Sequence, residues 1–240
     1  MNKYVRAQLA AAAILAGAAA APAMADDVIP YIEGFGGYAI GAMSQSGDIV
    51  SGTGFGGDWG NGGVYGGGVG LKMPIDNSGV AIRVDITGAG IAGLGGNNHT
   101  GTLSDGTPVS ARVKLTGADY LATVYADIDV GLPVVPFVGF GLGGAHKKID
   151  PLVYTGPSGA FATVDGDKKD GLAWSGVVGA SYTVMPHLEF ELSYRYTDAG
   201  KVSSGSTFTD TTNGVSQQLD SPIVSHLQLH QFVAGIRYLF

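Results

Sequence analysis

The chain has 240 residues, of which 41 are glycine and only 14% are charged, and it contains no cysteine. Its formal net charge of -7 argues against nucleic acid as a partner, because such partners require a basic surface. The length corresponds to one domain, and the lack of cysteine excludes disulfides as a source of stability.

The N-terminal residues have the pattern of a secretory signal peptide. A short basic region precedes an alanine-rich apolar run, and Ala23-Met24-Ala25 supplies a cleavage site of the A-x-A type. An uncleaved anchor is the weaker alternative, because the run is shorter than the ~20 residues that cross a bilayer as a helix. We predict a cleaved signal peptide at 1–25 and one mature domain at 26–240.

From Tyr31 onwards, apolar residues alternate with small, polar or charged ones, and helical periodicity is not sustained anywhere. Alternation with period two is typical of β-strands that have one apolar face. The pattern predicts eight strands, at about 31–42, 63–73, 80–87, 120–130, 136–146, 174–184, 188–197 and 226–240. Charged residues on one face exclude a buried parallel sheet, whose strands are apolar on both faces.

The predicted strands are joined by alternately long and short connections. The long ones lie near 44–61, 88–117, 147–170 and 198–225, and the short ones near 74–79, 131–135 and 185–187. Asp105-Gly106 and Asn213-Gly214 mark hairpin tips within two of the long connections. This alternation predicts an all-β, eight-stranded antiparallel up-and-down transmembrane barrel with long extracellular loops and short periplasmic turns. A soluble barrel is the alternative, but it would keep its apolar residues inside.

Outward aromatic residues gather at two heights of the predicted barrel. Tyrosine and tryptophan favour the membrane boundary, because the ring is apolar while the polar tip remains hydrated. The outer belt is predicted to contain Tyr65, Tyr120, Trp174, Tyr194 and Tyr196, and the periplasmic belt Tyr182, Phe190, Tyr238 and Phe240.

Sequence patterns that suggest cofactors or metals lack their usual context. The glycines at 139, 141 and 144 match G-x-G-x-x-G, but no helix follows them, so we interpret them as part of a strand. The run D-G-D-K-K-D at 165–170 does not fit a calcium loop, and the five histidines are scattered. We therefore expect neither a cofactor nor a metal.

The C-terminal strand places Phe232, Ile236, Tyr238 and Phe240 on one face. With the signal peptide and the alternation, this terminal strand resembles the small eight-stranded outer-membrane barrels of the opacity-protein and OmpA/OmpX-like superfamily. The resemblance implies the outer membrane of a Gram-negative cell, contact with outer-membrane lipid and lipopolysaccharide, and recognition of the C-terminal strand by the barrel-assembly machinery.

Ten charged residues face the interior of the predicted barrel. Arg195 lies high in the lumen, and nine lie towards the periplasm: Glu33, Lys72, Arg83, Asp85, Asp127, Asp129, Glu189, Glu191 and Arg237. Antiparallel neighbours predict that Arg83 faces Asp127 or Asp129. They likewise predict that Arg237 faces Glu189 or Glu191, and that Glu33 lies between Lys72 and Arg237. We expect these ion pairs to close the lumen, while inward glycines at 66, 68, 139, 141, 143 and 179 leave the rest of it empty.

The favoured function is a non-enzymatic scaffold whose loops contact the outside, as a surface antigen, adhesin or membrane-stabilising protein with a host or surface ligand. A small porin or a channel for hydrophobic solutes is the alternative, because the glycines suggest an open lumen. A third possibility comes from the resemblance, since some members modify lipid A with His, Ser and an acid at the outer rim. Ser225, His226, His230 and Asp198 lie near that height, but they match no recognisable motif.

Overall fold

The computed structural model describes residues 28–43, 58–102, 106–218 and 224–240. The predicted signal peptide and its boundary, most of the first long connection and the first residue of the Asp105-Gly106 tip lie outside the described residues. No helix in the described part of the chain is long and apolar enough to cross a membrane.

Eight long strands close into a barrel. They are β1 (Ile29–Met43), β2 (Asp58–Ile75), β3 (Val80–Thr102), β4 (Pro108–Ile128), β5 (Val134–Ile149), β8 (Asp167–Met185), β9 (Leu188–Ser203) and β12 (Val224–Leu239). Each pairs antiparallel with its neighbours in the order β1-β2-β3-β4-β5-β8-β9-β12, and β12 returns to pair with β1. Closure pairs the backbone of every barrel strand on both sides. The predicted fold class is confirmed.

Four short strands form an extension of the barrel at the end that carries the long connections, which we call the loop end. They are β6 (Leu152–Gly156), β7 (Gly159–Val164), β10 (Thr207–Asp210) and β11 (Ser216–Gln218). β6 pairs with the outer part of β4, β7 with β6, β10 with β7, and β11 with β10. We call these four strands the cap. The predicted polar connections at 147–170 and 198–225 are therefore largely hairpins of one sheet.

Strands β3 and β4 are much longer than the alternation predicted. The segment 88–117 was expected to be a connection, but its residues continue the two strands, which pair as far as Thr102 and Pro108. The run A-G-I-A-G-L-G-G at 89–96 hid this extension, because glycine has no side chain to mark a face. The predicted hairpin projects from the barrel as expected.

The opposite end of the barrel has short turns, and we call it the turn end. At 76–79 the backbone reverses with Asn77 at φ 56° and Gly79 at φ 66°, conformations that Asn and Gly adopt most readily. The chain terminus is held there by backbone bonds, from Leu239 N to His187 O at 2.9 Å and from Phe240 N to Pro30 O at 3.0 Å. Both ends of the described chain therefore lie at the turn end.

The two faces of the barrel differ in the way that a membrane requires. Large apolar residues are exposed on the outside, among them Ile86, Val124, Val138, Phe140, Val178, Leu192 and Ile236. Inward apolar residues form a core that continues from the lumen into the cap, where Phe161 and Phe208 pack against it. This arrangement is the reverse of a soluble barrel, whose exterior is polar.

Candidate functional site in the lumen and at the rim

The most connected side chain in the lumen is Arg237, which is 1% exposed. Its guanidinium donates from Nη1 to Glu189 Oε2 at 2.8 Å and from Nη2 to Glu191. A third carboxylate, that of Glu33, lies 3.6 Å from Nη2, and the ring of Tyr31 lies 4.9 Å from the guanidinium carbon. One arginine on β12 thus binds carboxylates from both neighbouring strands, β1 and β9.

A second arginine extends the cluster to the other side of the barrel. Arg83 Nε donates to Asp127 Oδ1 at 2.8 Å, and its Nη1 lies 3.9 Å from Glu191. The guanidinium lies over two rings, 4.3 Å from the centroid of Tyr125 and 4.7 Å from that of Phe137. Because Glu191 contacts both arginines, the two halves form one network.

Two further polar contacts complete this network. Lys72 Nζ donates to Glu189 Oε1 at 2.7 Å and lies 3.8 Å from Asp127 Oδ2. Tyr31 donates its hydroxyl to Asp85 Oδ2 at 3.0 Å. The Lys72–Glu189 contact spans the lumen, because β2 and β9 are not neighbours. We call the set the charged cluster: Tyr31, Glu33, Lys72, Arg83, Asp85, Asp127, Glu189, Glu191 and Arg237.

The structure differs from the predicted ion pairs at two positions. Lys72 binds Glu189 across the lumen rather than Glu33 on the adjacent strand, because the register of β1 and β2 pairs Lys72 with Ile29 and Glu33 with Gly68. Asp129 is exposed and lies beyond the end of β4, where its Oδ1 accepts a bond from Gly131 N at 2.8 Å, so it belongs to a turn and not to the lumen. Arg195 lies higher, as predicted, with its guanidinium 5.0 Å from the ring of Phe35.

The inward glycines do not leave the lumen empty, and that expectation was wrong. A Cβ built on Gly70 would lie 2.4 Å from a ring carbon of Tyr31, far inside van der Waals contact. Three other glycines face rings in the same way, with added-Cβ distances of 2.6 Å for Gly66 against Phe35, 2.4 Å for Gly139 against Tyr125 and 2.6 Å for Gly179 against Phe137. Each glycine therefore makes room for an inward aromatic ring.

Towards the loop end the lumen holds apolar side chains together with buried polar ones, among them Asp119, Lys147, Arg195 and Gln231. Leu121, Leu227 and Leu229 are at most 1% exposed and belong to a core cluster that includes residues from all eight barrel strands. The same cluster continues into the cap through Tyr154 and Val164. The interior is therefore occupied at two levels, by ions and rings at the turn end and by aliphatic side chains with interspersed polar ones above them.

The predicted belt residues face outwards, with different degrees of exposure. Tyr65, Tyr120, Trp174, Tyr182 and Phe190 are between 38% and 61% exposed. Tyr194 and Tyr196 are half-buried against neighbouring rings, with 5.6 Å between the centroids of Tyr194 and Phe232 and 5.3 Å between those of Tyr196 and Trp174. The outward face of β12 also exposes Phe232, Ile236, Tyr238 and Phe240.

The rim residues considered for lipid modification do not assemble as a nucleophile and base. His226 Nε2 lies 2.7 Å from Asp198 Oδ1, but Ser225 is buried on the opposite face of the same strand. His230 instead pairs its Nδ1 with the hydroxyl of Tyr194 at 2.6 Å. Adjacent residues of a strand point to opposite faces, so Ser225 and His226 cannot form a hydrogen-bonded pair there.

Several important side chains were not assigned to the lumen site from the sequence. Tyr31 contacts Arg237, and Phe137 contacts Arg83. Both could have been predicted, because Tyr31 shares a strand face with Glu33 and Phe137 shares one with Gly139. The cap was missed because its hairpins are short.

Within the described ranges, no group of three or more His, Cys, Asp or Glu residues is placed to hold a metal ion.

A closed antiparallel barrel with an apolar outer surface and an ionic lumen defines an integral outer-membrane protein. Comparison with known proteins gives the same class: the chain belongs to the family described as the outer membrane protein beta-barrel domain, whose model matches residues 9–239. The protein is therefore located in the outer membrane, with the loop end outside the cell and the turn end in the periplasm.

Two similar proteins are named as outer membrane proteins. An outer membrane protein of Gluconacetobacter diazotrophicus is 29% identical over 175 residues, which cover 64% of this chain but only 46% of that protein. The outer membrane protein PagN of Salmonella typhimurium is 26% identical over 181 residues, covering 74% of each chain. The crystal structure of Neisserial surface protein A aligns with a TM-score of 0.46 at 16% identity, over 88% of this chain and 97% of that one.

Proposed function

We propose that this protein is a non-enzymatic, closed barrel that presents its cap to the outside as an adhesive or antigenic surface. The observation that carries the proposal is the apolar core, which runs without interruption from the lumen into the cap. A core shared in this way fixes the cap relative to the membrane, and rigid presentation reduces the entropy lost when a ligand binds.

The outer strands of the cap are polar and accessible. β11 (Ser216–Gln218) is exposed and ends the sheet, while Thr209 pairs through its hydroxyl with Ser216 at 3.0 Å. Such a surface suits hydrogen-bonding contact with a macromolecule outside the cell, either a host component or a neighbouring cell surface. The outward C-terminal face, from Phe232 to Phe240, suits recognition by the barrel-assembly machinery before insertion.

Adherence of cells that express the protein would test the role of the cap. The test variant replaces residues 207–218 by a short Gly-Ser linker, which removes the outer hairpin, including Phe208 at the edge of the shared core, and leaves every buried residue of that core in place. We expect adherence to cultured epithelial cells to fall to the level of vector-only cells, with equal amounts of heat-modifiable barrel in the membrane. Adherence of the wild type no greater than that of vector-only cells would contradict the proposal.

A porin or a channel for hydrophobic solutes is the competing function, and planar-bilayer recording separates it. We expect no stepwise conductance from refolded wild-type protein, because the charged cluster and the side chains above it both occupy the lumen. The Arg237→Met variant should also be silent, since it loosens the charged cluster but leaves the leucines above it. Reproducible conductance steps in either protein would favour the channel.

A further inference from the structure

The sequence contains two Asn-Gly dipeptides, Asn61-Gly62 and Asn213-Gly214, and the structure places them in different backbone environments. In such a pair the backbone nitrogen of the glycine can attack the side-chain amide carbon of the asparagine, because glycine has no side chain to obstruct it. Both asparagines are exposed. Asn61 lies within β2 of the barrel wall, whereas Asn213 lies in the turn between β10 and β11 of the cap. The backbone therefore decides which asparagine can react.

The turn at Asn213 directs the side-chain amide towards the backbone that follows it. Asn213 Oδ1 accepts a hydrogen bond from Val215 N at 3.1 Å, which polarises the amide carbon Cγ. The same N–H would stabilise the negative charge that develops on Oδ1 when a nucleophile adds to Cγ. Gly214 has φ 73°, and apart from its two chain neighbours no atom of the described residues lies within 4 Å of a Cβ built on it. The side of the turn next to Gly214 is therefore open.

Few contacts resist the movement that the attack requires. Gly214 N donates to Asp210 O at 2.9 Å, and this bond must open first. The bond from Thr211 N to Phe161 O at 2.9 Å anchors the start of the turn and does not involve Gly214. β10 and β11 are joined by three residue pairs at the end of the sheet, and residues 211–218 are all exposed. A short exposed strand pair at a sheet edge opens at low free-energy cost, because few buried contacts are lost.

Gly62 has the opposite surroundings. It lies between β1, where it pairs with Ala39, and β3. A Cβ built on Gly62 would lie 2.5 Å from Ala92 O and 2.9 Å from Leu94 N, so the backbone of β3 lies directly against it. Gly62 N cannot rotate towards the Asn61 side chain unless the barrel wall opens. In a closed barrel that opening approaches complete unfolding.

We propose that Asn213 is a site of spontaneous deamidation, with Gly214 N as the nucleophile, and that the barrel wall protects Asn61 from the same reaction. Water is the co-reactant, and it is freely available at an exposed turn outside the cell. The inference depends only on the backbone at the two dipeptides, so it stands whether or not the cap is adhesive.

The reaction balances with water alone. Gly214 N loses its proton to water and forms a bond to Asn213 Cγ. The bond between Cγ and Nδ2 then breaks, Nδ2 takes up a proton, and ammonia leaves a five-membered cyclic imide. Water opens this ring at Cγ to give aspartate, or at the backbone carbonyl to give isoaspartate, whose chain continues through the side-chain carbon. Overall, one amide and one water become one carboxylate and one ammonium ion, without oxidation or reduction.

Deamidation would change the surface that the cap presents. The new carboxylate adds a negative charge to the tip of the outer hairpin, close in the chain to Asp210. Isoaspartate also lengthens the backbone of the turn by one methylene group, which displaces β11 from β10 and weakens the 3.0 Å contact between the hydroxyls of Thr209 and Ser216. The edge of the cap therefore alters with the age of the molecule.

The test compares the two asparagines within one sample. Full-length protein, refolded into lipid vesicles, is incubated at neutral pH in water enriched in heavy oxygen, and the peptides that contain Asn61 and Asn213 are followed by mass spectrometry. Heat-modifiable migration confirms that the barrel remains folded. We expect Asn213 to deamidate with uptake of one heavy oxygen, and Asn61 to react at least about a hundredfold more slowly. In protein unfolded in urea, both should react at similar rates.

A variant identifies the nucleophile. Gly214→Ala places a methyl group beside the attacking nitrogen and should slow the reaction of Asn213 about tenfold or more, with no change at Asn61. Equal rates for the two asparagines in the folded barrel, or a rate for Asn213 far below its rate in urea, would overturn the proposal. A wild-type rate in Gly214→Ala, or aspartate formed without isoaspartate, would overturn it as well, because water would then attack the side chain directly.

Discussion

Removing the Arg237 guanidinium is the sharpest test of the charged cluster. The substitution Arg237→Met keeps most of the side-chain volume but leaves the carboxylates of Glu33, Glu189 and Glu191 without their shared donor. Breaking a buried ion pair from one side costs about 3–5 kcal/mol, because the remaining charge stays buried and uncompensated. Lys72 still binds Glu189 at 2.7 Å and offsets part of that loss. We therefore expect a loss of about 3 kcal/mol.

Equilibrium unfolding in urea measures this loss directly. The protein is refolded into lipid vesicles, and the folded fraction is followed by the shift in gel migration between unheated and heated samples. Lys201→Met is the control, because Lys201 is exposed on β9 outside the cluster and should change the free energy of unfolding by less than about 0.5 kcal/mol.

A second substitution separates charge from packing. Adding Glu191→Gln to Arg237→Met removes a carboxylate that then keeps only its 3.9 Å contact with Arg83, so the double variant should recover part of the lost stability. Our account of the cluster fails if Arg237→Met costs less than about 1 kcal/mol, or if Glu191→Gln makes the Arg237→Met variant still less stable.

Two other substitutions test the packing and the C-terminal strand. Gly70→Ala should lower the free energy of unfolding by about 1–3 kcal/mol in the same assay, because the added Cβ would meet the Tyr31 ring. The control Gly34→Ala should be nearly neutral, because no atom lies within 4 Å of its added Cβ. Equal costs for the two variants would contradict the glycine–ring packing. Phe240→Ala should reduce the heat-modifiable barrel recovered from outer membranes several-fold, since the exposed terminal ring is part of the proposed insertion signal, and an unchanged yield would refute that role.

Alternation made the barrel predictable, but only where side chains mark both faces. At the turn end every strand boundary was predicted to within two residues, and the faces of Arg83 and Arg237 followed from period two. The extension of β3 was not predictable in this way, because its glycines and alanines at 89–96 fit a loop equally well, whereas the alternating residues 109–116 of β4 were recognised as strand-like. The cap hairpins were missed for a related reason, since strands of three to six residues carry too few alternations to stand out.

Strand neighbours also limit what sequence can say about the lumen. Antiparallel order predicted that Arg83 faces Asp127 or Asp129, because the two strands are adjacent, and in the structure it binds Asp127. It could not predict that Lys72 would reach Glu189, since that contact crosses the barrel and depends on its diameter and on side-chain length. The glycine–ring packing is of the same kind: a glycine in the sequence looks like empty space, and only the neighbouring strand shows which ring fills it.

The part of the charged cluster around Arg237 lies at the seam where the last strand meets the first, and we infer that it sets the register of closure. Arg237 on β12 is the direct partner of Glu33 on β1 and of Glu189 on β9. A slip of one residue would turn the arginine towards lipid and its carboxylate partners away from it, which is unfavourable on both faces. An apolar plug would fill the same space without specifying that alignment.

Cross-linking across the seam tests this inference. Gly34 and Ile236 are direct partners on the outward face, so Gly34→Cys with Ile236→Cys should form a disulfide in the native register. In a register slipped by one residue, Gly34 would lie opposite either Arg237 or Gly235. Arg237→Cys would itself remove the arginine, so Gly34→Cys with Gly235→Cys is the pair that reports the slipped register. We expect the native disulfide to dominate when Arg237 is present and the slipped one to increase when Arg237→Met is added. If the ratio of the two disulfides does not change, the cluster contributes to stability without setting the register, because slippage is then prevented by the outward apolar faces of β1 and β12 alone.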